Sequence, residues 1–161
     1  MKHLISLFCA VLMLVACSKQ SDNTLEAHKA AMKRFETMIN TADTNIAKEL
    51  IADDATFYTP ASPTPLYGGE GYLSAVYRMH QGFSDAQWKL EEMVAEGNVV
   101  VVRWTLTGTN DGEFMGVAPT GKKIKTTVMN FYYFNDEGKI VNDIAAEGMI
   151  GILRGIGMLD K

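Results

Sequence analysis

Downstream of Gly82 the apolar residues stop recurring at intervals of three and four and begin to alternate. A period of two belongs to a strand whose faces differ, and it restricts the fold more than any other feature of the chain. Four segments carry it: AQWKLEEMVAEG, NVVVVRWTLTGT, KIKTTVMNFYYFN and GKIVNDIAA. Glu96-Gly97-Asn98 and Asp136-Glu137-Gly138 supply tight turns, which place the strands they join antiparallel. Such a sheet has one apolar face that needs a cover.

The residues upstream supply it. Leu25, His28, Met32, Phe35 and Ile39 recur at three and four, so 25–39 is predicted to be an amphipathic helix, with Asn23 and Glu26 at capping-box spacing. Asp43 or Thr44 caps a short second helix whose inner residues are Ile46, Leu50 and Ile51. ATFYTP is expected to be a strand, stopped by the turn-rich PASPTPLYGG. A third helix over 70–82 carries Leu73, Val76, Tyr77 and His80 on one face, and MIGILRGIGML closes the chain as a helix. Helices followed by antiparallel strands give the α+β class. A strongly twisted sheet curls around such helices, and its hollow can hold a small ligand.

The first residues point to an address. Lys2 and His3 precede thirteen residues, Leu4 to Ala16, that are apolar apart from Ser6. A spanning helix needs about 20 such residues, whereas a signal-peptide core is shorter. Leu14-Val15-Ala16-Cys17 resembles a bacterial lipobox, in which the cysteine is acylated and becomes the new first residue. The expected organisation is a signal peptide over 1–16, lipidated Cys17 with a polar tether over 17–24, and one domain over 25–161. Cys9 leaves with the signal, so the mature chain has no free thiol, disulfide or cysteine metal site. Ser18 after the cysteine favours the outer membrane, facing the periplasm. The formal charge of −4 becomes −5 without Lys2. No run of like charge interrupts the mixture, which argues against nucleic acid.

RWTLTGTNDGEFMGVAPTGKKIK extends the reading to a family. Arg103-Trp104, Gly108-Thr109, Gly112-Glu113-Phe114-Met115-Gly116, Pro119-Thr120-Gly121-Lys122 and Gly138-Lys139-Ile140-Val141 resemble, in order and spacing, the SnoaL-like family of polyketide or ester cyclases. AEGNVVVVRW and the GILRGIGML tail extend the likeness over roughly 26–160. The resemblance implies the nuclear transport factor two-like cone, with N-terminal helices packed in a curved antiparallel sheet. It also implies a ligand chamber and frequent dimerisation through the sheet. Family members place a catalytic aspartate near the end of the last strand, four residues after a tryptophan. Those positions correspond here to Gly148 and Ile144, and a histidine sometimes found before the tryptophan corresponds to Asp143.

Strict alternation then assigns faces. Ile140, Asn142, Ile144 and Ala146 form the chamber side, whereas Val141, Asp143, Ala145 and Glu147 form the outer or interface side. A bulge at the strand end would turn Glu147 inward instead. His80 is the other candidate acid/base, either facing the chamber or held at the core edge by one hydrogen bond. Tyr58, Tyr77, Trp104, Asn130, Tyr132, Asn142 and Ile144 are candidate pocket residues, and Phe114 and Met115 suit a lipophilic ligand at the mouth. The glycine-rich loop lacks the spacing of a phosphate cradle, and His28 has no carboxylates at ligand spacing, so no metal or cofactor is expected. The favoured function is an envelope-anchored cone binding a small apolar molecule, with cyclase chemistry in doubt because of Gly148. The alternatives are an active cyclase, isomerase or hydrolase using His80 or Glu147, and a non-catalytic dimeric lipoprotein.

Overall fold

The strand segments pair as a meander. In the computed structural model, which describes residues 23–58, 64–146 and 148–159, β3 (Gln87–Glu96), β4 (Val99–Thr109), β5 (Lys123–Phe134) and β6 (Ile140–Ala146) form one antiparallel sheet in the order β3-β4-β5-β6. The predicted turns join β3 to β4 and β5 to β6. Gly97 and Gly138 adopt φ of 57° and 74°, the left-handed region that a tight hairpin demands and glycine tolerates. On β4 burial alternates strictly, with Val100, Val102, Trp104 and Leu106 inward. On β5 the inward set is Ile124, Val128, Asn130, Tyr132 and Phe134.

Helix α1 spans 23–41 and lays Met32, Phe35, Met38 and Ile39 on that inner face, all buried. Its polar residues also serve the sheet. Asn40 Nδ2 donates to the Trp88 carbonyl at 2.8 Å and Asn40 Oδ1 accepts from Trp88 N–H at 2.8 Å. Glu36 Oε1 accepts from Leu90 N–H at 2.7 Å. β3 is an edge strand whose free backbone groups would otherwise invite another chain, and α1 occupies part of that edge. Helix α2 (Thr44–Leu50) is capped by Asp43, whose carboxylate accepts from the N–H groups of Asn45 and Ile46. Ile51 leaves that helix to bridge Ile140, bringing α2 to the start of β6.

The stretch read as a strand and turns is less regular than expected. β1 is only Thr56–Phe57 and pairs with β2, Leu66–Tyr67, which lies within the proline-rich segment read as turn. Helix α3 covers Gly68–Gly82 and buries Leu73, Val76 and Met79. Helix α4 covers Gly148–Gly155 and lies on β5 through three glycines. A Cβ at Gly148 would stand 2.7 Å from Val128 and one at Gly155 2.7 Å from Ile124, while one at Gly151 would collide with Thr126. The glycine stripe therefore lets the helix backbone approach the strand closely. Gly157 (φ 84°) closes the turn after the helix, where Met158 N–H donates to the Leu153 carbonyl and Gly157 N–H to that of Arg154.

Two apolar clusters result. The larger joins α1, α2, α3, β4 and β5 around Phe35, Trp104 and Tyr132, and the smaller joins Met79, Phe83, Leu106, Phe114, Ile124, Ile152 and Ile156. Aromatic edges tie the larger one together: Phe35 meets Tyr132 at 5.1 Å and Tyr72 at 5.2 Å between centroids.

Candidate active site

Between the clusters lies a cavity of about 190 Å³. Its wall is mostly apolar, with Phe57, Val76, Met79, Trp88, Trp104, Phe114, Val128 and Ile152 contributing. Its polar members are Tyr58, Tyr72, Arg78, Asn130, Tyr132 and Asp143. Convergent polar groups in an apolar hollow are the pattern of a small-molecule site.

Asp143 reaches this cavity because β6 does not alternate uniformly. The register runs Tyr132↔Asp143 and Tyr133↔Asn142, then jumps to Phe134↔Ile140, leaving Val141 as an extra residue. A single bulged residue reverses the faces of everything beyond it. Ile140 is buried before the bulge; after it, Asp143 and Ala145 face inward and Ile144 is 56% exposed. The face assignment expected for β6 is therefore corrected. Asp143 belongs to the chamber side, and Ile144 and Asn142 do not line it. Strict alternation fails because the bulge sits at the start of the strand and not at its end.

Among the described residues Asp143 is held by one neutral donor: Asn130 Nδ2 donates to its Oδ2 at 2.8 Å, a diagonal contact between β5 and β6. Burial dominates that one hydrogen bond and pushes the carboxyl up to about 6. Directly opposite, Tyr132 is hydrogen-bonded to the side chains of Trp104 and Tyr72. Indole is a donor only, so Tyr132 accepts there and keeps its own O–H proton for another acceptor. Burial holds both tyrosines well above the usual phenol range, followed by the Asp143 charge for Tyr132 and by Tyr132 and then Asp143 for Tyr72, so they remain protonated donors.

The remaining predicted site residues separate clearly. Trp104, Asn130, Tyr132 and Phe114 line the cavity, and Tyr58 lines its mouth while 70% exposed. Phe114 is fixed by edge contact with Phe83 at 5.2 Å. Met115, next to it, takes a left-handed turn (φ 51°) that leaves it exposed and off the wall. Tyr77 is also exposed, because the buried stripe of α3 runs through Leu73, Val76 and Met79, and residue 77 lies a quarter-turn away. His80 is absent from the wall: its Nε2 lies 3.1 Å from the Ile39 carbonyl, so the ring is tied to α1 at the core edge. Glu147 and Cys17 lie outside the described residues. Gly148 does line the cavity, and Val128 fills the space that a side chain there would need.

Tyr72, Arg78 and Asp143 were not among the predicted site residues. The signal for Asp143 was its match to a position where family members sometimes carry histidine, a titratable group. Tyr72 and Arg78 had no comparable signal, because one apolar-rich helix face does not reveal which residue meets a cavity.

Comparison with known proteins bears on the fold and the family. No curated protein sequence matches the chain. Among solved structures, IdmH from Streptomyces antibioticus, a candidate polyketide cyclase, is similar at 28% identity and TM-score 0.70, covering 81% of this chain and 98% of that one. AclR from Streptomyces galilaeus, a candidate hydroxylase, is similar at 25% identity and TM-score 0.70, covering 85% of each. A protein of ketosteroid isomerase-like fold from Catenulispora acidiphila shares the fold at 14% identity and TM-score 0.64, covering 79% and 92%. The family model for SnoaL-like polyketide cyclases matches residues 29–156. With its α+β meander, apolar cavity and matched span, the chain belongs to the SnoaL-like polyketide cyclase family.

Proposed function

We propose that this protein is an acid–base enzyme of the cyclase or isomerase type, with Asp143 moving the proton. One observation carries the reading: a carboxyl raised to about 6 stands in an apolar cavity beside a protonated tyrosine. A base works best when its pKa lies near the working pH. Asp143 takes the proton α to a substrate carbonyl, and the C–H electron pair moves onto the carbonyl oxygen as an enolate. Tyr132 O–H donates to that oxygen where its charge develops. The enolate carbon then attacks a second carbonyl of the same molecule, closing a ring, or is reprotonated at another carbon. In ring closure Asp143 returns its proton to the new alkoxide, so no oxidant or reductant is consumed. Gly148 does not forbid this chemistry; the acid stands five residues earlier, across the strand.

The test is solvent-proton exchange. The protein is incubated in deuterium oxide with a panel of aryl ketones and β-keto esters, and deuterium uptake is followed by mass spectrometry. Wild type should accelerate uptake for at least one compound, and Asp143→Asn should lose about 10²–10⁴ of that rate. Uptake at the uncatalysed rate throughout, or an Asn variant as fast as wild type, removes the proposal.

A homodimer through the outer sheet face is part of the same reading. Met129, Phe131 and Ile144 are exposed there, with Phe131 paired directly to Ile144. An exposed apolar cluster on a sheet suits a partner. The envelope address rests on the LVAC motif, and none of the helices among the described residues is long and apolar enough to cross a membrane. Cys17→Ser should shift the protein from the membrane to the soluble fraction of cells; unchanged membrane recovery would reject lipid anchoring.

A further inference from the structure

Among the described residues of the cavity, Arg78 is the one charged group that the proton-transfer reading leaves unused. It projects from α3, and its Nε and Nη2 are buried with no hydrogen-bond partner. None of the ion pairs among the described residues includes it. Two guanidinium nitrogens out of water and without an acceptor are costly, since each desolvated donor forfeits its hydrogen bond to water. Asp143 does not pair with it: the carboxyl takes its hydrogen bond from Asn130, and no ion pair joins the two side chains. The cavity thus holds a cation and an acid that do not satisfy each other.

Arg78 is also the only Lys, Arg or His among the described residues of the wall. Its planar fork matches the two oxygens of a carboxylate. A phosphate, with more charge, would call for a second cation, and the described residues of the wall offer Arg78 alone. We infer that Arg78 seats a ligand carboxylate, and that the cavity takes a small apolar carboxylic acid. Docked this way, the acid's apolar body lies against Val76, Met79 and Trp104, and its reacting carbon faces β6. This inference rests on the proton-transfer reading for the role of the far end of the ligand, but not for the carboxylate seat itself.

Isothermal calorimetry on the detergent-solubilised full chain tests it, with benzoate, phenylacetate and 3-phenylpropanoate as probes, each against its primary amide. At least one acid should bind tenfold or more tightly than its amide. Arg78→Met should reduce the acid to the level of the amide, and Arg78→Lys should retain part of the preference. Amides that bind as well as their acids in wild type overturn the inference, and that comparison needs no variant to fold. An acid preference unchanged in Arg78→Met overturns it too. Exchange catalysis that is absent while the acid preference stands would remove the proton-transfer reading alone. Exchange that proceeds with no preference for acids would remove the carboxylate seat alone.

Discussion

The two faces of the β5–β6 hairpin share a backbone and differ in almost everything else. Inward, Asn130 donates to Asp143 and Tyr132 stands opposite that acid, a polar group in an apolar chamber. Outward, Met129, Phe131 and Ile144 present a bare apolar surface. One extra residue, Val141, decides which set is which. Without that bulge the same sequence would send its acid to the outside and Ile144 to the chamber. Polarity alone therefore does not identify a core face; here the buried face carries the acid and the exposed face the hydrocarbon.

Breaking the inner face should give the largest effects. Beyond its loss of turnover, Asp143→Asn should make the fold more stable. Burial raises the folded pKa to about 6, above the ordinary carboxyl value. Such a group stabilises the fold while protonated, and that contribution is lost as pH rises from about 4 through about 6. The Asn variant should thus gain up to about 3 kcal/mol at pH 7 and little at pH 4, read by denaturant unfolding at both values. Equal gains at the two values would show that the carboxyl is not perturbed by burial.

Refilling the family's acid position tests the opposite wall. Gly148→Asp should destabilise by about 1–3 kcal/mol, because its Cβ would stand 2.7 Å from Val128. Adding Val128→Ala should recover part of that loss beyond the sum of the single changes, a coupling measured by a double-mutant cycle. Additive effects would mean that Val128 is not what closes the position.

The outer face should be the mildest in stability. Phe131→Glu and Ile144→Glu should each change unfolding free energy by about 0.5 kcal/mol or less in the monomer, as is usual for exposed sites. Both should convert a dimer to a monomer in light scattering. A wild type that is monomeric at the outset would leave the outer face with no dimer role.

Much of the architecture was readable because its signals are local. The helix expected over 25–39 is helical throughout and continues to residue 41, and the four strands follow directly from alternation and turn glycines. Trp104, Asn130 and Tyr132 lay on regular strands, where parity transfers without error to the wall. The site acid did not, because parity was counted across Val141. The distance from helix to cavity was equally hidden for His80 and Tyr77, which share the α3 face with wall residues in sequence but not in space.

By itself the sequence determined the class of fold, the family, and which residues alternate, since period, turn chemistry and motif spacing are properties of neighbouring residues. Only the tertiary structure decided which acid enters the cavity, that Val128 closes the glycine position, and that Arg78 stays unpaired. Those outcomes depend on register between strands and on packing between elements distant in the chain, where a shift of one residue reverses a face.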